Sequence, residues 1–225
     1  MLFPNGFIDS LQRTLGQGRW EMLMDGIFVT IQISLGAVLL GLVIGCIIVA
    51  FKLSRLKILN AIAFIYLGII RGTPSVTQLL LISAIVFAGF RGNLVWVGIV
   101  ALGINSGAYV AEIIRAGIFS VDKGQREAGL SLGFTRFQTM RYIIMPQAVK
   151  NIIPTFVNEF IVLIKETAIV GFIGAADLTR QAQHIMSRTF DFTALLVSAV
   201  MYLVLISILT ALLTLFEKKL RSADA

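Results

Sequence analysis

The chain has 225 residues, 57% hydrophobic and only 14% charged, with a mean hydropathy of +0.91; this excludes an ordinary soluble globular domain and makes a bilayer the natural solvent. The formal charge of +7 is gathered into short segments between uncharged runs, which is a pattern of membrane orientation and not a basic face for nucleic acid. A single cysteine, Cys46, and a single histidine, His184, give neither a disulfide framework nor a metal site.

A hydrocarbon core about 30 Å thick needs roughly 20 apolar residues in a helix. Residues 1–25 carry Asp9, Arg13, Arg19, Glu21 and Asp25 and have no continuous apolar core; they are expected to form an extracytoplasmic segment and not a cleavable signal peptide. The first expected span is 27–51, with Gly36, Gly41 and Gly45 suited to close helix contact. The second, 58–90, is interrupted by Arg71-Gly72-Thr73-Pro74 and reads as one long helix kinked at Pro74. The third is 94–111, with Glu112 and Arg115 three apart beyond its end, spaced to pair on one face. The fourth is 152–176, broken by Lys165-Glu166-Thr167, and the fifth is 193–216, followed by a cytoplasmic tail at 218–225. The expected class is therefore an all-α, polytopic membrane protein of five transmembrane helices.

Counting Lys and Arg sets the orientation. Lys52, Arg55, Lys57, Lys123, Arg126, Arg136, Arg141, Lys150, Lys218, Lys219 and Arg221 fall on one side, and Arg13, Arg19, Arg91, Arg180 and Arg188 on the other. Basic loops are retained in the cytoplasm, so the N-terminus is expected outside and the C-terminus inside. The spans show no paired repeat of the kind common in secondary transporters. No Gly-x-x-x-x-Gly-Lys-Ser/Thr phosphate loop occurs, so nucleotide chemistry is assigned to a partner.

The longest loop, 118–147, is cytoplasmic on this reading and patterned as two short helices. Asp122 is placed to cap the first, Gly133 to end it, and Thr135-x-x-Gln138 to open the second as a capping box. Phe137, Met140 and Ile144 recur at helical spacing as one apolar face, and Pro146 is expected to stop the helix.

These residues carry a resemblance. Glu127-Ala128-Gly129, Gly133 and Ile143-x-Met145-Pro146 are similar to the EAA loop of permease subunits in bacterial ABC importers, with Gly129 where a second Ala is usual and Met145 where Leu is usual. The resemblance implies a type I ABC importer permease fold, a multi-pass protein of the bacterial cell (inner) membrane, and an ATPase-docking helix carried by Glu127, Ala128, Gly129, Gly133, Phe134, Phe137 and Pro146. It further implies four partners: an ABC ATPase dimer that uses ATP and Mg, a second permease subunit (identical or homologous), an external substrate-binding protein or domain, and a solute. This chain itself would bind no cofactor and catalyse no covalent step. Arg71-Gly72-Thr73-Pro74 with Gln78, and Asn158-Glu159-Phe160 with Lys165-Glu166-Thr167, are similar to polar amino-acid permeases of the histidine/glutamine type, which makes an amino acid the implied solute.

Ionisable groups at membrane depth need partners or water. Lys165 and Glu166 could meet the carboxylate and ammonium of a zwitterion, and the expected substrate pathway is Asn158, Glu159, Lys165, Glu166 and Thr167 with Arg71 and Gln78. Arg71 is also read as a structural charge holding the kink or tying span two to span four, and Asn105 and Ser106 as interhelical hydrogen bonders. Two rival readings stand beside this one: a self-sufficient ion-coupled carrier or channel using Arg71, Glu112 and Lys165, and an importer permease for an osmolyte or other small polar solute.

Overall fold

The computed structural model describes residues 6–222. A short amphipathic helix, α1 (Phe7–Leu15), turns through Gln17 and Gly18, both at positive φ (55° and 75°), into α2 (Arg19–Lys52). α2 thus begins well before the expected Ile27: Glu21 sits in its first turn, where the helix dipole favours an acid, although that charge hides the turn from a reading by apolar length. At 1.5 Å per residue its 34 residues reach roughly 51 Å, more than a hydrocarbon core requires.

The expected second span is not one kinked helix. α3 (Lys57–Gly72) and α4 (Ser75–Leu81, extended by a π turn over Ile82–Val86) meet at 108°. Pro74 disfavours α geometry at the residue before it, and Thr73 is extended (φ −125°, ψ 149°), so α3 stops and α4 restarts in a new direction. Gln78 secures the turn. Its amide nitrogen lies 2.7 Å from the Ile70 carbonyl and 3.1 Å from that of Thr73, and so satisfies acceptors that the end of α3 leaves open.

α5 (Leu94–Phe119) is the centre of the bundle and runs parallel to α2. A Cβ on Gly41 would lie 3.0 Å from Ser106 Cβ, and one on Gly45 3.0 Å from the backbone nitrogen of Ala111. Close approach of small residues supplies the packing that helices in lipid cannot draw from the hydrophobic effect. Ile33, Ala37 and Val38 of α2 pack with Ala101 and Leu102 of α5, with Leu79 of α4, and with Leu163 and Val170 further along the chain.

Beyond α5 come α6 (Lys123–Ser131), α7 (Arg136–Gln138) and α8 (Met145–Glu166). Pro146 does not end a helix, as expected, but opens α8. Thr139–Ile144 forms a π turn, whose wider ring carries the helical path from Thr135 onward without needing the proline's missing N–H. The fourth expected span is α only to Glu166, continues as a 3-10 turn over Thr167–Ile173, and is closed by Gly174 at φ 90°.

α9 (Leu178–Thr189) lies where a loop was expected. Leu178, Ala182 and Ile185 are fully buried at helical spacing against Leu23 and Ala194. Asp177 caps it, accepting from the backbone N–H groups of Thr179 (3.1 Å) and Arg180 (3.0 Å) and from the Tyr202 hydroxyl (3.1 Å). α10 (Thr193–Ser222) completes the fold, with its apolar stretch almost entirely on the surface. Among the described residues three helices, α2, α5 and α10, are long and apolar enough to cross a membrane, or four if the bent α3–α4 pair counts as one span. The architecture is all-α.

Candidate functional site

The α6–α7 element is built by its caps. Asp122 accepts from Gly124 N–H at 2.7 Å, Gly133 takes φ +84°, and Thr135 and Gln138 form a reciprocal capping box at 2.8 and 3.2 Å. The expected single apolar face divides in two. Ile144 is buried with Val121 and Ala148, with Met140 packed on them, whereas Phe137 is 70% exposed beside Phe134 at 40% and Leu132 at 77%. The π turn over Thr139–Ile144 re-phases the helix and separates these residues. Gly129 is buried, its missing Cβ occupied by Thr139 and Ile143, so it seats α6 on the π turn and does not reach the surface. Glu127, Ala128 and Pro146 are exposed.

The expected pathway residues fall into separate places. Glu159 accepts from the Ser106 hydroxyl at 2.9 Å and lines a cavity of about 660 Å³ with Tyr109, Glu112, Asn151 and Thr155. Arg71 stacks over Tyr109, 5.9 Å from the ring centroid, and lines an adjoining cavity of about 490 Å³ with Lys52 and Gly68. It therefore faces α5 and not the expected fourth span. Gln78 is buried, linked to Asn105 at 2.9 Å, and holds the α3–α4 turn. Thr167 is buried, its hydroxyl donating to Ile164 O at 2.8 Å where α8 gives way to the 3-10 turn. Asn158 and Lys165 are exposed and Glu166 is half-buried; none of the three lines either cavity.

Both cavities share Tyr109 and are joined by charge. Glu112 accepts from Lys52 Nζ at 3.0 Å and from Arg115 at 2.8 and 2.9 Å. The Glu112–Arg115 pair follows from spacing, and Tyr109 lies three residues before Glu112 on the same helix; Lys52, 60 residues away, does not follow so, and neither do Asn151 and Thr155. A carboxylate held by two cations, a second carboxylate on a hydroxyl, and a guanidinium on an aromatic face line this cleft with charge of both signs, chemistry suited to a charged or zwitterionic solute.

Residues 37–222 match the family described as the binding-protein-dependent transport system inner membrane component. The chain belongs to this family. As an inner membrane component it is similar to the glutamine transport system permease protein GlnP of Escherichia coli, 36% identical over 89% of this chain and 93% of the relative. It is also similar to the arginine transport system permease protein ArtQ of Bacillus subtilis, 39% identical over 90% and 94%. The crystal structure of an amino acid ABC transporter with histidines superimposes with a TM-score of 0.88 at 43% identity, covering 96% of this chain and all of the other. An inward-facing MetNI methionine ABC transporter, at 19% identity and a TM-score of 0.78, shares the fold. The inner membrane component thus has the ABC importer permease fold, and its exposed α6–α7 element and its polar cleft lie on one such scaffold.

Proposed function

We propose that this inner membrane component forms half of the translocation path of an ATP-driven importer for a polar amino acid. Its relatives are named for glutamine, arginine and amino-acid transport, and their similarity covers nearly the whole chain. The observation that carries the reading is the pair Phe134 and Phe137, exposed at a helix start held by the Thr135–Gln138 capping box, among the exposed polar side chains of Arg126, Glu127, Arg136 and Gln138. Exposed apolar side chains on so charged an element suit a contact with another protein and not with lipid tails.

On this reading a dimer of ATPase subunits receives the α6–α7 element, and the ATP and Mg²⁺ are used there. A second permease subunit, identical or homologous, completes the path, and an external binding protein delivers the solute. The π turn makes α7 continuous with α8, which carries Glu159, Lys165 and Glu166. A displacement of the docking element is therefore delivered directly to the helix that borders the cleft.

Co-expression with the ATPase tests this. Wild-type chain co-purifies with the ATPase at one to one and takes up amino acid in proteoliposomes only with ATP. Glu127→Lys inserts into the membrane but loses the ATPase. Uptake driven by an ion gradient without any ATPase would overturn the proposal.

A further inference from the structure

At the end of α2 opposite its Lys52–Glu112 pair, the ends of α1 and α9 enclose a cavity of about 540 Å³ lined by Arg13, Arg19 and Arg188, with Asp9 as its acid. Arg19 is folded back: its guanidinium donates to the Arg13 carbonyl and, at 2.9 Å, to Gln17 Oε1, which pins the turn where Gln17 sits at φ 55°. Arg13 and Arg188 are exposed and make no ion pair among the described residues. Asp9 lines the cavity and Asp191 acts electrostatically on Arg13, so three cations stand against two acids, and the net positive charge left over favours an anion.

The position of this cavity selects the anion. α10 begins at Thr193, five residues after Arg188, whereas the apolar run of α2 begins only beyond Asp25, so Arg188 stands next to the level at which α10 enters a bilayer and Arg13 and Arg19 lie on its outer, headgroup side. Phe190, 89% exposed, sits next to Arg188's turn in a left-handed conformation (φ 53°) that a bulky side chain rarely adopts. Phe192 (60%), just before α10, and Trp20 (52%), beside Arg19, are exposed as well, and the exposed row Leu196, Val200 and Leu203 continues from Phe192 along α10. Aromatic residues favour the membrane–water interface, and an apolar helix face beside a cationic pocket offers acyl chains a place to lie.

We propose that this cavity binds the phosphate of an anionic phospholipid headgroup, with its acyl chains along α10. An acidic protein surface would need the cations without the exposed phenyl groups and without the apolar face below them. The inference uses the membrane placement of α2 and α10 but not the docking of an ATPase or the nature of the solute.

The test uses the whole transporter complex in nanodiscs of phosphatidylcholine with or without phosphatidylglycerol, with native mass spectrometry of retained lipid and thermal unfolding as readouts. Wild type is expected to retain phosphatidylglycerol and to melt higher in its presence. Arg188→Gln should weaken that binding roughly five-fold, and Arg13→Gln/Arg188→Gln roughly thirty-fold, since each cation near an anionic surface contributes about that factor. Arg188→Lys should retain most of it, which separates lost charge from misfolding. Equal phosphatidylglycerol dependence in the double variant overturns the proposal. So does a shift reproduced by inorganic phosphate alone, which marks a free-anion site. Unchanged lipid retention together with lost stimulation by an external binding protein would make the patch a protein-docking surface and would also overturn it.

Discussion

The side-chain amide of Gln78 donates to the carbonyl oxygen of Ile70 at 2.7 Å across the 108° break between α3 and α4. One residue thereby caps α3, bonds Thr73 through both its hydroxyl (2.7 Å) and its carbonyl, and accepts from Asn105 of α5 at 2.9 Å. Gln78→Leu should lower the stability of the detergent-solubilised protein by about 1–3 kcal/mol, since buried polar groups are left without partners. Thermal unfolding reads this as a fall in midpoint, and an unchanged midpoint would remove Gln78 from its structural role.

The α2–α5 contact predicts a contrast between two glycines. A Cβ on Gly45 meets Val110 Cγ1 at 2.7 Å and the Ala111 backbone nitrogen at 3.0 Å, whereas one on Gly68 of α3 meets nothing within 4 Å. Gly45→Ala should therefore cost roughly 1–3 kcal/mol by overpacking. Gly68→Ala should be neutral or stabilise by about 0.5–1 kcal/mol, through the lower backbone entropy of the unfolded chain. Melting curves of the two variants side by side check the sign.

Glu112 joins α2 to α5 through Lys52, but Lys52 is 31% and Arg115 38% exposed at the side chain. Water screens such pairs, so a Lys52→Ala/Glu112→Ala double-mutant cycle should give a coupling of only about 0.5–1 kcal/mol, falling as salt is raised. A coupling several times larger and indifferent to salt would mean the cluster is sealed from water.

Glu159 is the expected pathway residue that lies in the larger cavity. Glu159→Ala should reduce uptake at least about ten-fold, the loss expected when a charged hydrogen-bonding group is removed from a solute's path, while ATPase co-purification is retained. Glu159→Gln, which can still accept from Ser106, should keep the stability of the wild type. Normal uptake by Glu159→Ala would place the path elsewhere.

Much of this was legible in the residues because local chemistry dictates it. Asp122, Gly133, Thr135 and Gln138 each act on backbone groups within three residues, and the structure realises each of these caps. The same holds for the Glu112–Arg115 pair and for the glycines of α2, whose spacing implies close contact. Effects that depend on direction were hidden. Pro74 signals an interruption, but the 108° turn depends on Thr73 going extended and on Gln78 bonding back. Pro146 looks like a stop and is carried through by a π turn, which also sends Phe137 outward while Ile144 turns in. Lys52, Asn151 and Thr155 reach the cleft from parts of the chain distant from Glu112. α9 was hidden by its polar composition, although Leu178, Ala182 and Ile185 carry the helical period.

The most direct measurement is ATP-driven amino-acid uptake by proteoliposomes holding the complete complex with Phe137→Asp. Phe137 is 70% exposed, so its replacement leaves the bundle intact, and equal membrane insertion can be verified for both proteins. If force enters through the α6–α7 element, uptake falls at least about thirty-fold, the effect of losing an interfacial anchor worth 2 kcal/mol or more, and the binding protein no longer stimulates ATP hydrolysis. Uptake at the wild-type rate would contradict the account.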